Sequence, residues 1–114
     1  MEKFEKGLVS IITPMYNGER FVAKTIESVL SQNYTKWEMI IIDDGSKDNS
    51  PIIVEEYSKR DGRIQLIRQK NAGSGAARNN GIRRAKGQYI CLLDADDTWE
   101  NNFLEEQIKL IKEK

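Results

Sequence analysis

The sequence is short of several features that mark particular classes of protein. Its 114 residues carry 18 basic and 18 acidic side chains, so the net charge is zero. Without a basic excess, neither extensive contacts to nucleic-acid phosphates nor a polybasic membrane patch is expected. The single cysteine, Cys91, excludes an internal disulfide, and its apolar neighbours predict a thiol that packs as a small hydrophobic group.

Long apolar runs are also missing. Nowhere do about 18 apolar residues follow one another, the length that a transmembrane helix needs. Residues 1–10 mix acidic and basic side chains and contain no long apolar stretch, so they do not resemble a signal peptide. We therefore expect no transmembrane segment and a reducing, cytoplasmic setting.

The composition is that of a folded globular protein. Hydrophobic residues make up 39% of the chain and charged residues 32%, with 8 glycines and 2 prolines. This balance is typical of a domain with a hydrophobic core and differs from that of a disordered tail. The length has room for one domain, which we expect to span residues 1–114.

Four apolar runs predict four β-strands, and segments of helical period separate them. The predicted strands lie at 8–13, 37–42, 64–67 and 89–93. Because the strands are apolar throughout, with helices between them, we expect a mainly parallel sheet covered on both faces. Right-handed crossovers then favour a doubly wound, three-layer α/β fold with strand order 3-2-1-4.

Several residues predict local features of these elements. Pro14 lacks a backbone donor and should end the first strand, and Gly87 should close the third helix. Small side chains that would let the third helix approach the sheet are Ala76, Ala77, Gly81 and Ala85. The last amphipathic segment aligns Leu104, Ile108 and Ile111. No fifth strand follows it, so we expect the fourth strand to form an open edge.

The strand order predicts where a ligand would bind. In open parallel sheets, ligands occupy the crevice beyond the carboxyl ends of the strands where the winding reverses, which here lies between the first and fourth strands. Up to five carboxylates would converge there, and their mutual repulsion calls for a neutralising cation. The residues expected at this crevice are Thr13, Pro14, Met15, Tyr16, Asn17, Asp43, Asp44, Asp94, Asp96 and Asp97.

The aspartates after the fourth strand suit a divalent cation. Magnesium and manganese prefer oxygen ligands, and magnesium is often held by one or two carboxylates together with substrate phosphates. Asp94 and Asp96 alternate along an extended segment and could address one ion that bridges a diphosphate. The alternative is a solvated loop that caps the last helix.

Three further positions admit two interpretations each. Asp44 either accepts a hydrogen bond from a base or ribose, or belongs to an ordinary turn that caps the second helix. Arg78 either reaches a phosphate or pairs with a surface carboxylate. Tyr16 either stacks on a base or packs as a loop aromatic.

The glycine loop 71–75 matches neither a P-loop nor a dinucleotide-binding fingerprint.

Four segments together resemble the N-terminal half of family 2 glycosyltransferases, which have the GT-A fold. They are VSIITPMYNGE (9–19), IIIDDGSKDNS (40–50), NAGSGAARNNGIRRAKGQYI (71–90) and LLDADD (92–97). In this order they cover nearly all of residues 8–100. The resemblance implies a metal-dependent enzyme that transfers a sugar, with inversion, from a nucleotide-diphosphate sugar bound through Mg²⁺ or Mn²⁺.

The resemblance also implies roles for individual residues. Around the base, uracil or guanine, it places Thr13, Pro14 and Tyr16, with Asn17 and Glu19 supporting their loop. Asp44 would bind the base or ribose edge, and Arg78 would lie near the diphosphate. The DxD motif would be Asp94, Ala95 and Asp96, with Asp96 the direct metal ligand and Asp94 nearer the ribose.

One departure from the family is the absence of its acceptor-binding half. The family's general base lies in that half, so we expect the catalytic base beyond residue 114 and a chain truncated before it. The acceptor would be a saccharide or a lipid-linked saccharide used in cell-surface polysaccharide synthesis, at the inner face of the plasma membrane. Alternatives are a non-catalytic nucleotide-sugar-binding module, a nucleotidyltransferase of related fold and a receiver-type signalling domain.

Overall fold

Strands and helices alternate strictly along residues 4–112, the part of the chain that this computed structural model describes. The elements are β1 (Glu5–Met15), α1 (Val22–Leu30), β2 (Trp37–Asp43), α2 (Ser50–Arg60), β3 (Ile64–Arg68), α3 (Ser74–Arg84), β4 (Gly87–Leu92) and α4 (Phe103–Lys112). All strand pairs are parallel, in the order β3-β2-β1-β4. The predicted α/β fold and strand order are confirmed.

Strand β1 is the centre of the sheet. It pairs with β2 from Val9 opposite Trp37 to Met15 opposite Asp43, and with β4 up to Ile12 opposite Leu92. The chain winds away from β1 on both sides, so the carboxyl ends of β1 and β4 flank the point where the winding reverses. The crevice expected there is the site described below.

Helices cover both faces of the sheet. On one face, α1, α2 and α4 bury a large apolar cluster that includes Ile11, Met39 and Ile26. On the other face, α3 packs on a smaller cluster of Ile12, Ile40, Ile42 and Ala77. As expected from its small side chains, α3 lies close to the sheet. A Cβ atom at Gly81 would lie only 2.5 Å from Ile12 Cγ2.

Pro14 does not end β1, contrary to expectation. It lies within the strand, opposite Ile42 of β2. The backbone hydrogen bonds of β1 alternate between its two neighbouring strands. Val9 and Met15, at odd-numbered positions, bond on the β2 side, whereas the Ile12 carbonyl accepts from the Leu93 N–H on the β4 side. Pro14 shares the parity of Ile12, so its missing N–H faces the β4 side, beyond the last paired residue of that ladder. The proline therefore breaks no hydrogen bond.

Strand β4 is less buried than its sequence predicts. Ile90 and Leu92, on the α3 face, are 47% and 53% exposed. Because β4 is the edge strand and α3 packs mainly over β1 and β2, the described residues cover that face of β4 only in part. Cys91 points to the other face, where it packs half-buried against the large cluster, and burial raises the pKa of its thiol.

Two predictions near the helices are wrong. Gly87 begins β4 and does not cap α3, and it must be glycine because a Cβ there would lie 2.6 Å from the Leu8 carbonyl oxygen. Ile111 is 49% exposed, whereas Leu104 and Ile108 of α4 are buried in the core and Phe103 packs partly buried against it. Within the described range, no helix is both long and apolar enough to span a bilayer.

Candidate functional site

A cavity of about 430 Å³ opens at the carboxyl ends of β1 and β4. Small-molecule sites in proteins commonly have this size and position. Its walls come from the β1–α1 loop, the end of β2, the start of α3 and the segment after β4. The lining residues are Pro14, Met15, Tyr16, Asn17, Gly18, Phe21, Asp44, Ser74, Arg78, Asp94, Ala95 and Asp96.

The β1–α1 loop is fastened to the loop after β2. Asn17 has a positive φ of 51°, a conformation that asparagine tolerates better than most residues. Its N–H donates to Ser46 Oγ (2.8 Å), and its side-chain oxygen accepts from the Lys47 N–H (2.8 Å). These bonds hold the loop that presents the exposed Tyr16 side chain to the cavity.

Glu19 lies outside the cavity lining and acts as a second tie between the same two loops. Its N–H donates to Asp48 Oδ2 (3.1 Å), and its carboxylate accepts from the Asn49 N–H (3.1 Å). The structure therefore gives Glu19 a supporting position and no direct contact with the cavity. Helix α1 begins three residues after Glu19, at Val22, because residues 18–21 form a turn in which the Phe21 N–H donates to the Gly18 carbonyl (3.0 Å).

Thr13 is also absent from the cavity lining. It is fully buried in β1, and its hydroxyl has no hydrogen-bond partner among the described residues. Its neighbours of the same parity in β1, Ile11 and Met15, belong to the large cluster, so Thr13 faces the core covered by α1, α2 and α4. The expectation that Thr13 would line a base pocket is not met, because strand alternation turns it inwards.

The two aspartates that follow one another at the end of β2 have different surroundings. Asp43 is fully buried, where its carboxylate accepts from Arg68 Nε (3.2 Å) and from the Ser46 N–H (3.2 Å). It lines no part of the cavity, contrary to the expectation of five converging carboxylates. Asp44 is 4% exposed and does line the cavity.

Protein donors already surround the Asp44 carboxylate. Oδ1 accepts from Gln69 Nε2 (2.9 Å) and the Ala72 N–H (2.8 Å), and Oδ2 accepts from the Gly73 N–H (2.9 Å). Burial alone disfavours the charged form, but these hydrogen bonds outweigh it and lower the pKa of Asp44 below its ordinary value. Asp44 is therefore held as a carboxylate at neutral pH.

The start of α3 supplies the cationic side of the cavity. Gly73 precedes the helix with a φ of 99°, which favours glycine, and Ser74 is the first helical residue. Arg78, one turn later, is half-buried and lines the cavity. No ion pair within residues 4–112 involves Arg78, so the alternative of a carboxylate-paired arginine is not observed there.

The segment after β4 gathers three exposed carboxylates. Asp94, Asp96 and Asp97 each offer an oxygen within 4.8 Å of the others. Ala95 between them is buried, and its carbonyl accepts from Thr25 Oγ1 of α1 (2.9 Å). This bond anchors the turn, while Asp94 and Asp96 line the cavity. The segment does not cap α4, which begins only at Phe103.

This arrangement fits a divalent cation. Carboxylate oxygens are the ligands that Mg²⁺ and Mn²⁺ prefer, and exposed groups leave space for water and substrate oxygens. Three like charges this close are more stable when a cation neutralises them. Asp97, expected near the crevice but given no role, does not line this cavity. It borders a neighbouring cavity of about 370 Å³, and Arg78 and Asp94 line both cavities.

Three residues that line the cavity were not predicted from the sequence, namely Gly18, Phe21 and Ser74. Phe21 directly precedes α1, and its position off the apolar stripe of that helix was a usable signal. Ser74 lies within the glycine loop 71–75, which was expected to precede the third helix and was itself a usable signal. Nothing in the sequence marks Gly18, which comes close to Ala95 only through the tertiary fold.

Comparison with known proteins identifies the family. The model of the family described as "Glycosyl transferase family 2" matches residues 10–114. The chain is 43% identical over 110 residues to the putative teichuronic acid biosynthesis glycosyltransferase TuaG of Bacillus subtilis, covering 96% of this chain and 44% of that protein. It is 45% identical over 105 residues to the Escherichia coli UDP-Glc:alpha-D-GlcNAc-diphosphoundecaprenol beta-1,3-glucosyltransferase WfgD, covering 91% of this chain and 41% of that protein.

Solved structures agree with this result. The fold matches Staphylococcus aureus TarS 1–349 in complex with UDP-GlcNAc, with a TM-score of 0.82 and 30% identity over 92% of this chain and 31% of that one. It also matches the mannosyltransferase PcManGT of Pyrobaculum calidifontis in complex with GDP-Man and Mn²⁺, with a TM-score of 0.70 and 26% identity over 80% of this chain and 28% of that one.

These matches settle the family and the fold together. The chain spans less than half of the length of the two relatives named above. The parallel sheet is that of the GT-A glycosyltransferases. On the family model that matches residues 10–114, the chain belongs to glycosyl transferase family 2.

Proposed function

We propose that this chain forms the donor-binding part of a metal-dependent, inverting glycosyltransferase that uses a UDP- or GDP-sugar. The observation that carries the proposal is that one cavity is lined by an exposed tyrosine, an arginine and two carboxylates of a three-carboxylate cluster. These are the groups needed to contact a base, a diphosphate and a divalent cation. The solved complexes with UDP-GlcNAc and with GDP-Man and Mn²⁺ support this donor class.

The donor would lie along the cavity in a defined direction. Its base would contact Pro14, Tyr16 and the edge of Asp44, where the loop tied by Asn17 and Glu19 forms the wall. The diphosphate would lie beside Arg78. Thr13, which the family resemblance assigned to the base pocket, is left out because it is buried in the core.

Asp96 and Asp94 would hold Mg²⁺ or Mn²⁺, with Ala95 anchoring their turn. A bound divalent cation would supply charge stabilisation to the departing nucleoside diphosphate. Arg78 would add a fixed positive charge and orient the phosphates. The protein's own contribution at this end is therefore electrostatic.

Inverting transfer also needs a base that deprotonates the acceptor hydroxyl. We assign that role to none of residues 4–112, and Asp97 carries no feature that distinguishes it as a base. The relative WfgD is described as acting on a diphosphoundecaprenol-linked sugar and forming a beta linkage, and TuaG as acting in teichuronic acid biosynthesis. By analogy, we propose a saccharide or lipid-linked acceptor used in cell-surface polysaccharide synthesis at a membrane face.

Calorimetric titration of the chain tests the donor site. UDP, GDP, UDP-GlcNAc and GDP-mannose would be titrated with and without Mn²⁺. We expect binding between micromolar and millimolar that weakens by about tenfold or more in Asp96→Ala, since a metal ligand is lost. The matched control is Glu105→Ala, which removes an exposed carboxylate of α4 outside the cavity. Binding of equal strength without metal, or in Asp96→Ala, would contradict the proposed site.

A further inference from the structure

The segment between β3 and α3 is held mainly by the side chain of Asp44, the residue that directly follows β2. The N–H groups of Ala72 and Gly73 donate to the Asp44 carboxylate, and Asn71 Nδ2 donates to the Asp44 carbonyl oxygen (3.0 Å). The approach is close, since a Cβ at Gly45 would lie 3.0 Å from the Asn71 nitrogen. Residues 71–73 thus rest on the end of β2.

This segment leads directly into the wall of the cavity. Gly73 precedes α3, its carbonyl accepts from the Ala77 N–H (3.1 Å), and the helix start has no side-chain cap of its own. Ser74 and Arg78, on the first turns, both line the cavity. The bonds made by Asp44 therefore fix the backbone immediately before the two α3 residues that face the ligand.

A second connection runs from Asp44 to the middle of α3. Gln69 Nε2 donates to Asp44 Oδ1 (2.9 Å), while Gln69 Oε1 accepts from Asn80 Nδ2 (2.8 Å). Asn80 lies two residues after Arg78 on the same helix. The Asp44 carboxylate is thus linked to α3 on both sides of Arg78.

From these contacts we propose that Asp44 is a positioning residue that sets the location of Arg78 in the donor cavity. This inference rests on the proposed function, because it takes Arg78 to contact the diphosphate. It assigns Asp44 an effect on the phosphate end of the ligand, in addition to any contact with the base. Oδ2 accepts a short bond from the Gly73 N–H (2.9 Å) and a long one from Asn71 Nδ2 (3.4 Å). A base contact would therefore replace the long bond from Asn71 and leave the bonds to the backbone before α3 in place.

The chain contains a matched control for this role. Asp48 ties loop backbone in the same way: its Oδ1 accepts from the Ser50 N–H (2.9 Å) and its Oδ2 from the Glu19 N–H (3.1 Å). It lines neither cavity, and its side-chain hydrogen bonds within residues 4–112 go to Glu19 and Ser50, not to α3. An Asp48→Asn substitution therefore removes a similar set of bonds without affecting the helix that carries Arg78.

The test uses inorganic pyrophosphate with Mn²⁺, a ligand that has no base. We expect Arg78→Ala and Asp44→Asn each to weaken pyrophosphate binding by about tenfold, the effect of losing one charge-assisted hydrogen bond. Asp48→Asn should change it by less than about twofold. The double variant should bind no more than about twofold more weakly than Arg78→Ala, because Asp44 acts through that arginine.

The outcomes separate this inference from the donor-site proposal. Unchanged pyrophosphate binding in Asp44→Asn, with weaker UDP binding, would show a base contact only and overturn the positioning role. Additive losses in the double variant would do the same. Failure of the wild-type chain to bind either ligand with Mn²⁺ would instead refute the donor site itself.

A second variant keeps the test decisive if circular dichroism shows that Asp44→Asn does not fold. Gln69→Ala leaves the carboxylate in place and removes only its link to Asn80. We expect it to weaken pyrophosphate binding by about two- to threefold, with no further loss when combined with Arg78→Ala. Wild-type affinity in Gln69→Ala would overturn the inference in that case.

Discussion

Replacing Gly81 with alanine should destabilise the chain, although alanine is the better helix former. The added Cβ would lie 2.5 Å from Ile12 Cγ2 and 3.3 Å from Ile42 Cγ1. Carbon atoms in contact ordinarily sit about 3.5–4.0 Å apart, so α3 must withdraw by about 1 Å or the isoleucines must move. Both isoleucines are fully buried in the sheet and cannot swing into solvent.

The magnitude follows from two opposing effects. Alanine gains about 1 kcal/mol over glycine in a helix interior. Overpacking a filled core costs about 1–3 kcal/mol, and a 2.5 Å approach places this site at the upper end. We therefore expect a net loss of about 2 kcal/mol in the free energy of unfolding, or a melting temperature lower by about 8 °C for a domain of this size.

Urea denaturation followed by circular dichroism measures this loss. Gly75→Ala, in the first turn of the same helix, is the control because nothing lies within 4 Å of its Cβ. It should leave stability unchanged or raise it by up to about 1 kcal/mol. If Gly81→Ala were as stable as Gly75→Ala, the close packing of α3 on β1 would not be what requires glycine at this position.

Two further predictions concern stability. Thr13→Val should raise the free energy of unfolding by about 1 kcal/mol, because it removes a buried hydroxyl that lacks a partner; a lower urea midpoint would contradict this. Acid should destabilise the chain. Hydrogen bonds outweigh burial at Asp44 and Asp48, and Arg63 acts on Asp61, so all three pKa values are lowered on folding. Their stabilisation is present above their ordinary pKa of about 3.9 and is lost as the pH falls through the folded values. The urea concentration at half-unfolding should therefore decrease as the pH is lowered from about 5. An unchanged value down to pH 2 would refute the argument.

The fold was predictable because its signals are local and repeated. Each strand is a short apolar run, each connection contains a helix, and the handedness of parallel crossovers leaves few topologies. The errors came where tertiary context decides the outcome. Pro14 stays in β1 because the neighbouring ladder ends before it, and Ile90 is exposed because β4 lies at the sheet edge. Neither fact can be read from a single strand's composition.

The site was predictable to a similar extent. Strand order alone brought Asp44, Asp94 and Asp96 to one crevice, and the structure places all three on the same cavity. Thr13 and Asp43 do not line the cavity, because both side chains face inwards. That orientation depends on whether a residue occupies an odd or an even position in its strand. A buried strand with apolar residues at every position gives no alternation from which that parity could be inferred.

The two ends of the cavity differ in how firmly they are built, and this difference bears on how a donor would bind. At the end proposed to hold the base, backbone N–H groups of Asn17 and Lys47 and the Asp44 carboxylate join three loops. At the other end, the carboxylates of Asp94 and Asp96 are exposed, and their turn is anchored through Ala95. Preformed hydrogen bonds reduce the entropy lost on binding. In the proposed donor orientation, the nucleotide end would thus contribute affinity with little rearrangement, whereas repulsion among the carboxylates would make binding at the other end depend on a cation.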